Sequence, residues 1–216
     1  MSSRWEQHVL GQLVANLDPL AVGGRNIRRA GLDSRIFDAR PEAHSGPTAS
    51  ECREAYESLR QSAQADGRLA VGDPLVKAWR LSGDIYSPKL QRFIEVDEAQ
   101  HFSEARLTRL VANRFAPWGP LYPRIFWDDS VPRLLGRPRR DLAPPHRDEA
   151  RAYRDEMRER LPVVYGLGRT IRLDEFTLKQ AGLECVAGLM LQLLETEEFN
   201  GNTDRDSDPS AGSFRG

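Results

Sequence analysis

The stretch Gly83-Asp-Ile-Tyr-Ser-Pro-Lys-Leu-Gln-Arg-Phe-Ile-Glu-Val-Asp-Glu-Ala-Gln-His101 decides the fold. It predicts two short strands around a Ser-Pro-Lys turn, with acids at the start of the first strand and the end of the second. Glu95 and Asp97 are two residues apart, so on a strand they point to the same face. Hairpin pairing would bring Asp84 beside them. Three converging carboxylates repel one another unless a cation lies between them, and a hard divalent cation is the usual solution.

Hydrophobic periodicity and capping residues predict helices on both sides of this hairpin. The predicted helices cover residues 3–17, 48–65, 103–115, 144–161 and 183–194. Ser103 is a candidate cap, and Thr48 with Glu51 fits a capping box. The predicted strands cover residues 69–71, 75–81, 84–86, 92–98, 163–165 and 170–176. A turn is expected at Val22-Gly-Gly, and residues 25–40 fit a short strand or an irregular segment equally well.

The 216 residues predict a single α/β domain over residues 1–199, with an insertion at about 115–145. Residues 200–216 are polar and lack periodicity, so we expect a disordered tail. Lys and Arg (31) nearly balance Asp and Glu (32), which disfavours a protein that coats nucleic acid but leaves room for a local basic groove.

The expected compartment is a reducing cytoplasm. Cys52 and Cys185 lie far apart in apolar helical patterns, so both are predicted to pack in the core rather than to pair. The first residues carry no apolar signal core, and no uncharged stretch approaches the length that spans a bilayer. We therefore expect a soluble protein with no membrane partner.

The acids of the hairpin favour Mg²⁺ or Mn²⁺. Carboxylates on adjacent strands hold Mg²⁺ through one or two direct bonds and leave positions for water and a phosphate oxygen. Such a metal polarises phosphorus and lowers the pKa of a bound water. The predicted metal ligands are Asp84, Glu95 and Asp97. Gln100 and His101 would assist by orienting water or contacting phosphate, although His101 fits a helix-capping or surface position equally well.

The run from Asp84 to His101 resembles the core of nucleases with the PD-(D/E)xK fold, in the branch similar to very-short-patch-repair endonucleases. Asp84 matches the first acid, Glu95 and Asp97 match a Glu-x-Asp pair, and Gln100-His101 match the trailing pair. The resemblance implies a restriction-endonuclease-like α/β core, with a central mixed sheet flanked by helices. It also implies that the helix with Arg154-Asp155 and the strand Thr170-Ile-Arg-Leu belong to that core.

The sequence departs from the wider superfamily at two positions. Asp97 stands where a lysine is usual, and Glu98 stands where the branch commonly has Gly. Catalysis would therefore proceed without the lysine that activates water. Glu6 fits either a surface position on the first helix or the additional acid that some of these nucleases carry there.

Basic and aromatic side chains indicate where a nucleic acid would bind. The predicted contacts to the backbone are Lys89 in the hairpin turn and the basic run with Arg133, Arg137, Arg139 and Arg140. Trp118, Tyr122 and Trp127 are candidates for base stacking, and a partly packed loop with solvated arginines is the alternative.

The resemblance and the acids together predict a metal-dependent DNA endonuclease with a role in repair or defence. The alternative is a catalytically inactive nuclease-fold module that binds nucleic acid, a partner protein or a second copy of itself. A hydrolase of small phosphate compounds is a third reading, against which the lack of a Gly-rich phosphate cradle counts.

Overall fold

The structure is a computed structural model that describes residues 4–65, 79–136 and 147–203. The α-helices of this part are α1 (Arg4–Asn16), α2 (Gly46–Ala65), α3 (Glu104–Ala112), α4 (Val131–Leu135), α5 (Arg147–Val164), α6 (Glu175–Ala181) and α7 (Val186–Thr203). The strands are β1 (Val22–Gly23), β2 (Ile85–Ser87), β3 (Arg92–Asp97) and β4 (Ile171–Asp174). The chain is therefore a mixed α/β protein.

The four strands form one open, mixed sheet in the order β1-β2-β3-β4. β1 pairs with β2, and β2 pairs with β3, both antiparallel. β4 lies parallel to β3, with Asp97 opposite Asp174. A parallel neighbour needs a long crossover connection, and here that connection contains α3, α4 and α5.

The predicted hairpin is confirmed, since Ile85 lies opposite Ile94 and Tyr86 opposite Phe93. Asp18, just after α1, holds the turn in place. Its carboxylate accepts hydrogen bonds from the Ser87 hydroxyl at 2.5 Å and from the Lys89 amide at 2.9 Å. The sequence around Ser-Pro-Lys therefore closes a turn that is fastened to the first helix.

The sheet lies between two layers of helices. On one face, Ile94 and Val96 of β3 form a hydrophobic cluster with Val9 and Leu13 of α1 and Met190 of α7. On the other face, the residues that alternate with these, Glu95 and Asp97, point towards α5. Both faces of β3 are therefore covered, and Phe93 to Asp97 are all buried although two of these five residues are acids.

Several predicted elements are confirmed. Ser103 caps α3, because its hydroxyl accepts a hydrogen bond from the Arg106 amide at 3.3 Å. Cys52 is buried in the core. The helices predicted at 48–65 and 103–115 correspond to α2 and α3, and the strand predicted at 170–176 corresponds to β4.

Other predictions are wrong. Residues 163–165 do not form a strand, since Val163 and Val164 are the last two residues of α5 and Tyr165 lies in the turn after it. α2 begins at Gly46, so Thr48 lies inside it and is no cap. Val22-Gly23 pairs with β2 instead of forming only a turn.

Predictions near the C-terminus also differ from the structure. β4 ends at Asp174, whose carboxylate accepts hydrogen bonds from the amides of Phe176 and Thr177 and starts α6. Cys185 is exposed, not packed in the core. Residues 200–203 belong to α7, while residues 204–216 of the expected tail lie outside the described residues. The strand expected at 69–71, residues 75–78 of the strand expected at 75–81, and the helix start at Pro144-Pro145 also lie outside them, while residues 79–81 form only an isolated bridge at Arg80.

Candidate functional site

The structure brings Asp84 and Glu95 together at the open end of the hairpin. Glu95 Oε1 accepts a hydrogen bond from the Asp84 amide at 3.1 Å. Asp84 Oδ2 accepts one from the Val96 amide at 2.9 Å. Each carboxylate is thus fixed by the backbone of the other strand, and the two side chains form an adjacent pair, which we call the acid pair.

Gly83 makes this arrangement possible. A Cβ at this position would lie 2.7 Å from the Phe93 ring and 3.3 Å from Glu95 Oε1. The bare backbone at Gly83 therefore leaves the space that the Glu95 carboxylate and the Phe93 ring occupy.

The surroundings of the acid pair disfavour two negative charges. Burial is the main cause that raises the pKa of Asp84 from 3.8 to about 6, and the charges of Glu6 and Asp97 act in the same direction. Burial, and then the charge of Asp84, raise the pKa of Glu95 well above its usual value. Glu6, on α1, therefore lies near enough to add a third negative charge to this region.

Arg158 of α5 supplies positive charge beside the pair. Its Nε lies 3.8 Å from Glu95 Oε2, and its Nη1 donates to Asp155 Oδ1 at 2.8 Å. Arg158, Glu95 and Gly83 line a cavity of about 10 Å³, close to the smallest volume that accommodates a water molecule. The buried Nε of Arg158 has no hydrogen-bond partner in the described part of the chain.

Asp97 is engaged differently from the acid pair. Its Oδ1 accepts a hydrogen bond from Arg172 Nη1 at 2.6 Å, and its Oδ2 accepts one from the Tyr122 hydroxyl. Burial opposes ionisation of Asp97, but the Arg172 guanidinium outweighs it and holds the pKa of Asp97 below its usual value. Asp97 is therefore a buried, neutralised carboxylate.

Arg172 is the centre of a buried ionic network that the sequence did not single out. Besides Asp97, its guanidinium lies 2.7 Å from Glu159 Oε1 and 3.5 Å from Asp155 Oδ1. Glu159 in turn pairs with Arg106 of α3. The similarity of Arg154-Asp155 and Thr170-Ile-Arg-Leu to the nuclease pattern was the one sequence signal that pointed to this region.

His101 and Gln100 follow β3 in the short 3₁₀ helix Ala99–His101. His101 Nδ1 lies 3.6 Å from both Asp97 Oδ1 and Asp155 Oδ2. Burial tends to lower the pKa of His101, but Asp155 and Asp97 outweigh it and raise the pKa above 6.5. Gln100 is exposed, and its side-chain amide donates to Glu98 at 2.8 Å.

Of the residues predicted to contact nucleic acid, the structure describes Lys89 and Arg133. The Lys89 ammonium donates to the Leu17 carbonyl at 3.0 Å, at the end of α1. Arg133 is exposed beside a cleft of about 490 Å³ that Phe176 and Lys179 also line. Arg137, Arg139 and Arg140 lie outside the described residues.

The three candidate stacking residues all pack against other side chains of the protein. Arg160 lies over the Trp118 ring at 4.0 Å, and Arg114 lies over the Trp127 ring at 4.3 Å. Tyr122 is buried and stacks on Phe126 with ring centroids 3.8 Å apart. Tyr122 is therefore a core residue and a partner of Asp97 rather than an open stacking surface.

The donor set of the acid pair suits a hard cation with one or two protein carboxylates. Asp84 and Glu95 are adjacent, fixed, and destabilised as ions, which is the condition that a bound divalent cation relieves. Within residues 4–65, 79–136 and 147–203, no group of three or more His, Cys, Asp or Glu is arranged to hold a metal. A metal at the pair would therefore complete its coordination with water or substrate oxygens.

Comparison with protein-family models, with curated proteins and with solved structures gives no match. In the described ranges, no helix combines the length and the apolar character needed to cross a membrane.

Proposed function

We propose that this chain is a metal-dependent endonuclease with a restriction-endonuclease-like core that hydrolyses phosphodiester bonds of DNA. The adjacency of Asp84 and Glu95, with raised pKa values for both, is the observation that carries the proposal. The topology supports it, since the acids lie on an antiparallel hairpin followed by helices and a parallel fourth strand. Mg²⁺ or Mn²⁺ is the proposed cofactor.

Asp84 and Glu95 are the proposed metal ligands. When bound, the metal would polarise the phosphorus centre and lower the pKa of a coordinated water. Asp97 as a third ligand stays a prediction, because both of its oxygens already accept hydrogen bonds from Arg172 and Tyr122. In the arrangement described, Asp97 neutralises Arg172, and its Oδ1 lies 3.6 Å from His101 Nδ1.

The neighbouring cations have distinct roles in this proposal. Arg158 beside Glu95 attracts the negatively charged substrate and takes the place of the positive charge that a lysine provides in the wider superfamily. Asp97 and Asp155 favour the charged form of His101, which can hydrogen-bond a phosphate oxygen or give a proton to a leaving oxygen.

Incubation of the purified protein with plasmid, linear duplex and single-stranded DNA tests the proposal, with Mg²⁺, Mn²⁺ or EDTA. We expect cleavage only with the metal. The double variant Asp84→Asn, Glu95→Gln should lose it, while Glu57→Gln, at a surface pair with Arg60, should retain it. Cleavage by the double variant at the wild-type rate would rule out the metal assignment.

A non-enzymatic module is the second candidate, favoured by the cations that the protein itself places at the acids. Arg172 neutralises Asp97, and Arg158 lies 3.8 Å from Glu95. Such a module would bind nucleic acid or a partner protein without a metal. Calorimetry with Mn²⁺ separates the two candidates, because no heat of metal binding alongside measurable DNA binding favours the module.

A further inference from the structure

A cleft of about 660 Å³ lies between the segment 28–40 and the residues that precede β2. Among the described residues that line it are Arg28, Arg40, Arg80 and one acid, Asp38, so these residues contribute a net charge of +2. We call it the arginine cleft. Phe37 and Trp79 supply aromatic surface to its walls.

Two of the three guanidinium groups are not neutralised by a carboxylate in the described part of the chain. Arg40 is paired with Asp38, with Nε 2.9 Å from Oδ1. Arg28 donates to the Leu81 carbonyl at 3.3 Å and lies over the Phe37 ring at 5.6 Å. Arg80 makes no side-chain ion pair or hydrogen bond with those residues and is exposed. Arg28 and Arg80 thus keep donors for an anion.

The walls of the cleft are fixed rather than loose. The Ala39 amide donates to the Trp79 carbonyl at 2.7 Å, and the Leu81 amide donates to the Phe37 carbonyl at 3.0 Å. An isolated bridge joins Asp38 and Arg80. These bonds fix the backbone of segment 37–39 against that of segment 79–81, and a preorganised site loses less entropy when it binds.

The arginine cleft lies next to the acid pair. Phe37 lines both the cleft and the small cavity beside Glu95. Arg80 and Asp84 are four residues apart, so their Cα atoms are separated by about 14 Å at most. With a rise of about 3.4 Å per nucleotide, this upper limit on the Cα separation corresponds to about four nucleotides of a B-form strand.

We propose that the arginine cleft binds backbone phosphates of the nucleic-acid strand on which the acid pair acts, through Arg28 and Arg80. This inference deepens the proposed function and rests on it. Guanidinium groups are suited to phosphate oxygens because they donate in a fixed, forked geometry. The cleft is wide, and its unneutralised guanidiniums are exposed, which favours a strand lying across it over a small anion enclosed by it.

The test measures binding without cleavage. Fluorescence anisotropy of labelled 20-nucleotide single-stranded and duplex DNA, in EDTA and at several salt concentrations, gives Kd and its salt dependence. The variant Arg28→Gln, Arg80→Gln should bind about tenfold more weakly or worse at low salt, since one charge-assisted hydrogen bond corresponds to about a factor of ten. The slope of log K against log salt should become shallower by about 1.4 to 1.8 for two lost contacts.

Two further variants and a stability measurement make the result specific. The variant Arg28→Lys, Arg80→Lys keeps both positive charges, so its slope of log K against log salt should be close to that of the wild type. Arg124→Gln removes an arginine that is 93% exposed and paired only with Asp128 in the described residues, so it should bind as the wild type does. Thermal unfolding of each variant shows that the fold is intact, which we expect because Arg28 and Arg80 are exposed.

Wild-type affinity and salt slope in Arg28→Gln, Arg80→Gln would overturn the inference, as would undetectable DNA binding by the wild-type protein at low salt. A change in the binding of inorganic phosphate, with strand binding unchanged, would overturn it as well. Failure of the proposed function would give a different result. In that case the protein cleaves nothing with Mg²⁺ or Mn²⁺, while the cleft variants still weaken binding in EDTA.

Discussion

The Asp84 amide donates a hydrogen bond to Glu95 Oε1 across 3.1 Å, and this bond sets two carboxylates side by side at one end of a hairpin. The bond is possible because the register of β2 and β3 places Asp84 opposite Glu95, one residue beyond the pair Ile85–Ile94. The contact stabilises the backbone and at the same time concentrates negative charge.

The acid pair should make the protein less stable as pH rises. The pKa of Asp84 is about 6 in the folded chain and 3.8 when unperturbed, so the folded state binds the proton more tightly. Stability is then lost as pH increases from about 4 to about 6, by about 3 kcal/mol at most. Urea unfolding at several pH values should show this fall, and Asp84→Asn should flatten it.

The same experiment with metal tests the proposed ligands. Mg²⁺ or Mn²⁺ should raise Tm more at pH 8 than at pH 5, because only the ionised pair binds a cation well. Glu57→Gln serves as the control for loss of a surface carboxylate and should leave the metal effect unchanged. An equal metal effect in Asp84→Asn, Glu95→Gln would place the metal elsewhere.

Arg172 should be among the most sensitive positions of the fold. Its guanidinium is fully buried and pairs with Asp97 at 2.6 Å and Glu159 at 2.7 Å. Arg172→Met removes the guanidinium that neutralises buried Asp97 and leaves Glu159 with Arg106 as its remaining cation, so we expect a loss of about 3–5 kcal/mol in the free energy of unfolding. Arg124→Met, at an exposed pair, should change it by less than about 0.5 kcal/mol. Urea denaturation measures both, and equal losses would show that the network contributes little.

Local rules explain which parts of the fold the sequence predicts. The hairpin, the shared face of Glu95 and Asp97 and the Ser103 cap depend on contacts within a few residues, and all three are present. Val163 and Val164 show the opposite case. Their β-branched side chains favour a strand, but they are the last two residues of α5, whose Met157 and Leu161 pack in a hydrophobic cluster with α2.

The environment of the acids was not predictable in the same way. Strand parity places Glu95 and Asp97 on one face, but it does not say which cation meets each of them. That depends on the parallel pairing of β4, which sets Arg172 near Asp97, and on the position of α5, which sets Arg158 near Glu95. The arginine cleft likewise joins residues more than 40 positions apart, Arg28 and Arg80, and no local pattern links them.

His101 should cause a second fall in stability, at a higher pH than the fall caused by the acid pair. Asp155 and Asp97 raise its pKa above 6.5 in the folded chain, so the charged form stabilises the fold. This contribution is present in full below pH 6.5 and is lost as pH rises through the raised pKa. NMR titration of the imidazole should show the raised pKa, and His101→Gln should remove the fall in stability above pH 6.5. The control is His8→Gln, on the exposed side of α1, which should keep the fall in stability above pH 6.5. If His101→Gln also kept that fall, another group would be its cause.

Gly83→Ala should disturb the acid pair directly. The added Cβ would meet the Phe93 ring at 2.7 Å and Glu95 Oε1 at 3.3 Å, so the ring and the carboxylate must both move. We expect a loss of about 1–3 kcal/mol in the free energy of unfolding and weaker Mn²⁺ binding by calorimetry. Gly11→Ala is the matched control, because Gly11 lies inside α1 with nothing within 4 Å of an added Cβ. Alanine there should stabilise by about 0.5–1 kcal/mol and leave Mn²⁺ binding unchanged. If Gly83→Ala bound Mn²⁺ as the wild type does, the metal site would not depend on the position of the Glu95 carboxylate, and the acid pair would lose its assigned role.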